Sequence, residues 1–158
     1  MPADETCPIA RSLSVLGQKW NLLLLREAFL GSTKFAEFQR IGVPPATLGA
    51  RLEALVEAGL FEKEAYRVDG ERSRDRYVLT AAGRDTIPVL AALSDWGGEH
   101  LRPGPGYSWE STDGRPVRLA FIDADGDPVD ADSVRVANVR SAVAVPNAGA
   151  PGRSVEVR

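Results

Sequence analysis

The stretch KFAEFQRIGVPPATLGARLEALVEAGLFEKEAYRVDGERSRDRYVLT, residues 34–80, decides the fold of this chain. Its first part has two phenylalanines three residues apart, Phe35 and Phe38, followed by a break at Gly42. A second helix begins at the proline pair Pro44-Pro45, and its apolar residues recur at helical spacing at Leu48, Leu52, Leu55 and Val56. This spacing predicts a helix-turn-helix from Lys34 to Gly59, with the second helix as the recognition helix.

A β-hairpin is predicted directly after the helix-turn-helix. Residues 60–66 and 76–80 favour extended backbone, and Asp69-Gly70 between them is typical of a hairpin turn. The cations at or beside the tip of this hairpin are Arg67, Arg72 and Arg74. The two helices and the hairpin together predict a winged-helix DNA-binding unit, which indicates a regulator and not an enzyme.

Further helices are predicted on both sides of this unit. The first spans residues 8–16, and the second spans residues 19–30 and can face a core with Trp20, Leu23, Leu24 and Phe29. After the hairpin, Thr80 is the expected N-cap of a long helix that reaches about His100 and is kinked or divided at Pro88. A dimer partner is the expected cover for the apolar stripe of this helix, which consists of Ile87, Leu90, Leu93, Trp96 and Leu101.

The composition changes at residues 102–106, RPGPG, a cluster of prolines and glycines. We therefore expect an α+β chain in three parts. Residues 1–102 form a winged helix-turn-helix domain with a long C-terminal dimerisation helix, residues 103–145 a small β-rich extension, and residues 146–158 a flexible tail. Within the extension, residues 118–122 and 133–139 are the predicted strands, and residues 123–127 the turn after the first strand.

The overall composition is that of a soluble protein, with 44% hydrophobic and 26% charged residues in 158. The longest apolar run, Leu22–Leu25, is far below the roughly 20 residues that a membrane span needs, and the N-terminus lacks an apolar signal core. A cytoplasmic location without membrane contact is expected. The net charge of -3 weighs against nucleic-acid binding, but the affinity for phosphate depends on how cations cluster locally.

A series of short motifs recurs in the order found in a known family. They are Cys7-Pro8, Gly17-Gln18-Lys19-Trp20, Leu25-Arg26-Glu27, Phe35-Ala36-Glu37-Phe38, residues 52–60, residues 77–83 and Trp96-Gly97. On these motifs, residues 5–101 resemble the HxlR family of bacterial winged-helix regulators, which are relatives of the MarR group. The resemblance implies a homodimer that binds palindromic operator DNA, usually as a repressor and sometimes as an activator.

The chain departs from the family pattern in its helix-turn-helix and in its wing. The turn at residues 39–43 is slightly shorter than the usual form, and Pro44-Pro45 stand where polar residues are more common. Arg76 stands where the family usually has a carboxylate, which adds positive charge to the wing. Some members carry cysteines in a similar β-rich extension, but this chain has none after Cys7, so no zinc site is predicted.

The recognition helix turns a sparse set of side chains outward when its leucines point to the core. The candidate DNA contacts on it are Pro45, Ala46, Thr47, Ala50 and Arg51, beside Glu53. Thr47 can bond a base edge or touch a thymine methyl group, and Arg51 can reach a guanine or a phosphate. The alternative for Arg51 is a surface ion pair. Because the donors are few, operator shape and half-site spacing should supply much of the specificity.

Contacts to the DNA backbone are predicted on the wing and at the start of the first motif helix. Arg72, Arg74 and Arg76 alternate along an extended segment and therefore share one side of it. Lys34 is the candidate at the helix start. The alternative for the wing is a solvated hairpin neutralised by Asp69, Glu71 and Asp75.

Two kinds of switch are compatible with the sequence. Cys7, the sole cysteine, precedes a helix start at Pro8, where the helix dipole favours the thiolate although Asp4 and Glu5 oppose it. In some members of the family that the chain resembles, a cysteine at this position senses oxidants, quinones or aldehydes, so Cys7 is a candidate sensor; the alternative is an inert thiol. The other switch is a small-molecule effector in an apolar cleft lined by Trp20, Phe29, Tyr66 and Trp96, for which the alternative is core or dimer interface.

No catalytic set can be assembled from the sequence. His100 is the only histidine and no glycine-rich phosphate loop follows a strand, so neither an enzyme activity nor a cofactor is predicted. Asp123, Asp125 and Asp127 fit a polar turn better than a calcium site, because the loop lacks the spacing and the terminal glutamate of an EF-hand. The remaining alternative is a winged-helix protein-interaction module without specific DNA binding, which would lack the steep salt dependence of a DNA binder.

Overall fold

The computed structural model describes residues 7–67, 73–101, 104 and 106–136. The chain divides into two compact units, residues 1–109 and residues 110–158. Within the described residues, none of the helices combines the length and the apolar character that crossing a bilayer requires. The first unit contains the predicted helix-turn-helix and hairpin.

The described part of the first unit is mostly helical. Pro8 and Pro45 each occupy the first position of a helix, where the missing backbone N–H would have no partner in any case. The short helix that opens the motif continues into a 3-10 turn at Gln39–Ile41. The helices are α1 (Pro8–Leu16), α2 (Lys19–Phe29), α3 (Phe35–Phe38), α4 (Pro45–Glu57), α5 (Ala81–Arg84) and α6 (Ile87–His100).

The predicted helix-turn-helix is confirmed, and a glycine follows each of its two helices. Gly42 and Gly59 have φ angles of 82° and 71°, a region in which a side chain would be strained. After α4, the N–H of Gly59 donates to the carbonyl of Val56, and the N–H of Leu60 donates to the carbonyl of Leu55, both at 2.9 Å. These two bonds satisfy carbonyls of the last turn and direct the chain into the hairpin.

The two predicted strands pair in antiparallel register. Strand β1 (Phe61–Tyr66) lies beside strand β2 (Arg74–Leu79), which begins two residues earlier than predicted. In this register Glu64 lies opposite Arg76. The predicted turn at Asp69-Gly70 falls outside the described residues.

A further extended segment, Thr33–Lys34, joins the free edge of β2. The backbone N–H of Tyr77 donates to the carbonyl of Thr33 at 2.7 Å, and Lys34 forms an isolated antiparallel bridge with Arg76. The same segment opens α3, because the N–H groups of Thr33 and Lys34 both donate to the carboxylate of Glu37, at 2.8 and 2.9 Å. The hairpin and the first motif helix therefore share this segment.

The core of the first unit combines leucines of α2 and α4 with aromatic rings of α3 and the hairpin. The ring of Phe38 lies 5.9 Å from that of Phe61 and 6.4 Å from that of Tyr77, between ring centroids. The inward face predicted for α4 is confirmed. The fully buried large side chains are Leu24, Leu25, Phe38, Leu48, Leu52, Leu55 and Phe61.

Helix α2 buries a wider face than the sequence predicts. Leu24 is in the core as expected, but Leu25 is fully buried as well, whereas Trp20 and Phe29 pack at the margin and are only partly buried. The reason is that α2 has neighbours on several sides, since it packs against α1, α4 and β2. A single amphipathic stripe does not describe a helix covered in this way.

The long helix predicted after the hairpin is divided into two helices. Division was one of the two outcomes predicted for Pro88, the other being a kink. Thr80 caps the short helix α5, because its Oγ1 accepts from the N–H of Gly83 at 3.0 Å. Helix α6 then begins at Ile87 with Pro88 in its first turn, where proline is tolerated. The hydroxyl of Thr86, at the junction, donates to the carbonyl of Gly83 at 2.6 Å.

The second unit contains short two-residue strands. The strands of this region are β3 (Trp109–Glu110), which begins at the last residue of the first unit, β4 (Pro116–Val117), β5 (Phe121–Ile122) and β6 (Pro128–Val129). Strand β5 pairs with β6, and the turn between them is confirmed at residues 123–127, where Asp123 Oδ1 accepts from the N–H groups of Asp125 and Asp127 at 3.0 Å.

The strands predicted in the extension are largely wrong. Only the last two residues of 118–122 form a strand, and the described part of 133–139 contains the end of a 3-10 turn, Ala131–Ser133, followed by residues without regular structure. A strand requires a hydrogen-bonded neighbour, and alternating valines do not supply one. The side chain of Val136 is accordingly fully exposed.

Candidate nucleic-acid interface

The side of α4 that faces away from the core is composed of small side chains. Pro45, Ala46 and Ala50 are exposed, and Thr47 and Arg51 are partly buried at its margins. The leucines on the opposite side are fully buried. The candidate DNA contacts of α4 therefore share one accessible surface, where the two alanines permit another molecule to approach the helix backbone closely.

The charged side chains of α4 have different partners. Within the described residues Arg51 forms no ion pair, so the surface pair considered as its alternative is not found there. Glu53 does form one, with its Oε1 at 2.6 Å from Nζ of Lys63 on β1. The hydrogen bond that Lys63 donates to Glu53 raises the pKa of Lys63 above its ordinary value. Sequence reasoning missed Lys63, because nothing in the sequence shows that β1 passes beside the exposed side of α4.

The wing arginines are not equivalent. Nε and Nη2 of Arg76 lie 2.8 and 2.5 Å from Oε2 of Glu64, with both side chains about half exposed. Glu64 is not among the acids that the sequence suggested as neutralising groups, and only the strand register would have identified it. Arg67 and Arg74 are exposed, whereas the candidate Arg72 lies outside the described residues.

A groove of about 660 Å³ lies between α3 and the hairpin. Lys34 and Arg74, both predicted phosphate contacts, line this groove together with Arg40, which sequence reasoning missed. Nζ of Lys34 lies 5.3 Å from the ring centroid of Tyr66 in the same groove. Lys34 directly precedes α3 and Arg40 lies two residues after it, and this spacing is the signal in the sequence that could have pointed to Arg40.

Two carboxylates also line this groove, Glu37 and Asp75. Hydrogen bonds from the backbone N–H groups of Thr33 and Lys34 hold the pKa of Glu37 below its ordinary value, and nearby cations reinforce the effect. Both bonds converge on Oε2 of Glu37, so this carboxylate caps the start of α3.

The four aromatic residues proposed to line an effector cleft lie at different places in the single chain. Phe29 lines a groove of about 320 Å³, and Tyr66 lines the groove beside Lys34. Trp20 packs at the margin of the core, with Nζ of Lys19 5.0 Å from its ring centroid. Trp96 is 57% exposed, and its ring centroid lies 5.5 Å from that of His100.

Cys7 stands at the start of α1, in the N-cap position, and is partly buried. Its carbonyl accepts from the N–H of Arg11 at 3.0 Å. The candidate thiol therefore lies at the helix terminus that the sequence predicts for it.

Comparison with known proteins identifies relatives of this chain. A family model described as HxlR-like helix-turn-helix matches residues 15–105. An uncharacterized HTH-type transcriptional regulator of Mycobacterium tuberculosis is 42% identical over 112 residues, which cover 70% of this chain and 65% of that protein. The chain thus spans less than two thirds of the length of this relative.

Solved structures share the fold. PA1607, which has been suggested to be a transcription factor, superposes with a TM-score of 0.70 at 36% identity, covering 85% of this chain and 96% of that one. The redox regulator HypR in its oxidized form superposes with a TM-score of 0.55 at 28% identity, covering 61% of this chain and 99% of that one. With the family model matching more than half of the sequence, this chain belongs to the HxlR-like helix-turn-helix family.

Proposed function

We propose that this protein is a homodimeric, sequence-specific DNA-binding transcriptional repressor whose operator is a pseudo-palindrome. The observation that carries the proposal is the α4 surface, where leucines fill the core while Pro45, Ala46 and Ala50 remain exposed. The groove between α3 and the hairpin adds cations. A helix of 13 residues with such a surface fits the major groove of B-DNA.

Thr47 and Arg51 are the proposed base-reading side chains. Thr47 offers a hydroxyl and a methyl group to the base edges, and Arg51, without an ion pair in the described part of the chain, can donate to guanine. Pro45, Ala46 and Ala50 permit close approach and contribute van der Waals contacts. Because this surface has few donors, the deformability of the operator supplies much of the remaining specificity.

Lys34, Arg74 and Arg76 are the proposed backbone contacts, with Arg72 as a further candidate in the wing. The groove between α3 and the hairpin brings Lys34 and Arg74 together and adds Arg40 to this set. The ion pair of Arg76 with Glu64 lowers the net charge that Arg76 presents to a phosphate.

A second copy of the chain is the proposed cover for apolar residues that α1 and α6 leave exposed. Ile9 and Leu13 lie one helical turn apart on α1, and Val89, Leu93 and Trp96 are exposed on α6. Contiguous exposed apolar residues of this kind mark an association surface. We retain residues 1–102 as the winged-helix and dimerisation domain, followed by the extension and tail proposed from the sequence.

Regulation is proposed to act through Cys7 or through a small molecule. Support for Cys7 comes from its place at the start of α1, beside Ile9 in the proposed dimer surface, and from the fold shared with HypR, a redox regulator. Oxidation or alkylation there would change the packing of α1 and thereby the spacing of the two recognition helices.

Fluorescence anisotropy of the full chain with the DNA flanking its own gene, scanned over salt, tests the proposed function. Arg51→Ala should reduce the preference for the operator over unrelated DNA, whereas Arg74→Ala should weaken binding to both and lower the salt slope by about 1. Arg11→Ala, which removes an exposed cation from α1, is the matched control and should leave both quantities unchanged. Weak binding at low salt without a slope would instead favour the protein-interaction module.

A further inference from the structure

The outward side of α4 carries a carboxylate among its small side chains. Ala46, Ala50, Glu53 and Glu57 follow one another at intervals of four, three and four residues, so they form one stripe along the helix, and all four are exposed. The side chain of Glu53 is 51% exposed. An acidic group in this stripe opposes the approach of DNA, because it repels the phosphates.

Lys63 of β1 neutralises this carboxylate. Its Nζ lies 2.6 Å from Oε1 of Glu53. Lys63 also stands directly opposite Tyr77 in the register of the hairpin, and its Nζ is 5.9 Å from the centroid of the Tyr77 ring. Because that ring is buried in the core, the ammonium group has a defined position between the ring and Glu53. The hairpin thus places a cation beside the outward side of α4.

Stability does not account for this ion pair. Both side chains are at least one third exposed, and exposed ion pairs contribute little to the stability of a fold. What the pair provides is a carboxylate that one cation holds in a fixed orientation. No other described residue donates a hydrogen bond to Glu53, so Oε2 remains available as an acceptor.

An acceptor of this kind distinguishes the bases in the major groove of DNA. Cytosine presents its 4-amino group as a donor, whereas guanine and thymine present acceptors. Adenine also has an amino group, but the acceptor N7 next to it repels a carboxylate. The other proposed base-reading side chains do not make this distinction, because Arg51 only donates and the hydroxyl of Thr47 both donates and accepts.

We propose that Glu53 selects cytosine at one base pair of each operator half-site, with Oε2 accepting from the 4-amino group, and that Lys63 is the positioning residue that orients and neutralises Glu53. The inference rests on the proposed function, because it requires α4 to lie in the major groove. Without Lys63 the same carboxylate would repel the phosphates on both sides of the groove, so selectivity would come with a loss of affinity.

The role of Glu53 is tested by selecting bound sequences from a randomised library of DNA duplexes with the full chain, and then by anisotropy with duplexes that differ at one base pair. At the position that Glu53 reads, wild type should prefer cytosine to adenine about fivefold or more. Glu53→Gln should reduce this preference to about twofold or less, or reverse it, because an amide bonds both N6 and N7 of adenine. Glu57→Gln removes the same charge from the same stripe and, as the matched control, should leave the preference unchanged within about twofold.

The role of Lys63 is tested with a double-mutant cycle. Lys63→Met should weaken the binding of every duplex about threefold or more, whereas Lys63→Arg should retain both affinity and base preference because it restores the cation. In the double variant Glu53→Gln/Lys63→Met, the affinity should return to that of Glu53→Gln, since no carboxylate is left to neutralise. No loss in Lys63→Met, or a loss that persists in the double variant, refutes the positioning role.

The substituted side chains are exposed, and melting curves establish that each variant is folded. If wild type and Glu53→Gln select the same base at every position, Glu53 does not read DNA, and this inference is overturned while the proposed function stands. If the wild type selects no sequence at all, the proposed function fails and this inference fails with it.

Discussion

The structure leaves no room for a side chain at Gly83, and Gly83→Ala is a sharp test of the fold. A Cβ at this position would lie 2.1 Å from the carbonyl oxygen of Leu60 and 3.0 Å from Cδ2 of Leu79. The oxygen belongs to the backbone and cannot rotate away. Helix α5 must therefore move from the end of α4 by about 1 Å before a methyl group fits.

The magnitude follows from the bonds that such a movement would break. The N–H of Thr80 donates to the carbonyl of Leu60 at 3.0 Å, its hydroxyl donates to the carbonyl of Gly59 at 2.6 Å, and its Oγ1 accepts from Gly83 at 3.0 Å. Each such bond contributes about 1 kcal/mol, and strain adds about 1–3 kcal/mol. Alanine in a helix returns about 1 kcal/mol, so Gly83→Ala should lower the free energy of unfolding by about 3–5 kcal/mol.

Urea denaturation followed by circular dichroism measures this quantity, with all variants at one protein concentration because the proposed dimerisation would contribute to stability. Gly98→Ala is the matched control, because the same substitution there meets no atom within 4 Å. It should raise the free energy of unfolding by up to about 1 kcal/mol. A Gly83→Ala variant within about 0.5 kcal/mol of wild type would refute the close approach of α5 to Leu60.

Three other expectations can be measured directly. Hydrogen bonding lowers the folded-state pKa of Glu37, so the stabilisation that Glu37 provides is present above the ordinary pKa of 4.5 and is lost as the pH falls through the folded-state pKa. At pH 7 the wild type should be about 1 kcal/mol more stable than Glu37→Gln, and this difference should vanish in acid. A stability difference that does not depend on pH would contradict the hydrogen bonding of Glu37. Trp96→Lys places a charge in the proposed dimer surface and should shift sedimentation toward the monomer, whereas an unchanged dimer would mean that α6 is not the interface. Cys7→Ser should abolish any change of DNA affinity caused by diamide, and a retained response would assign sensing elsewhere.

The periodic parts of the chain could be predicted from the sequence. The leucines of α4 recur every three or four residues, and this period alone assigns Leu48, Leu52 and Leu55 to the core, as the structure confirms. The division at Pro88 is equally predictable, because proline lacks the N–H that an internal helix position uses. The spacing of apolar residues along the sequence and the backbone constraint of proline are thus enough to locate these helices.

Contacts between elements could not be predicted in the same way. The pair of Arg76 with Glu64 depends on strand register, and the pair of Glu53 with Lys63 depends on how β1 passes α4. The full burial of Leu25 likewise depends on the number of neighbours that α2 acquires. The two ion pairs and the burial of Leu25 each depend on how at least two segments are arranged in three dimensions. A sequence pattern within one segment does not contain that information.

The segment Thr33–Lys34 makes the wing and the helix-turn-helix a single mechanical element. The carbonyl of Thr33 accepts a hydrogen bond from the N–H of Tyr77 on β2. The N–H groups of Thr33 and Lys34 donate to the carboxylate of Glu37 in the first turn of α3. A force that bends the wing is therefore transmitted to α3 through one peptide unit, with no flexible joint between them. In the proposed DNA complex, a wing and an α3 joined in this way would favour DNA whose groove width matches both. Operators that deform easily at the wing would then be selected by the stiffness of the protein, even at base pairs that no side chain touches.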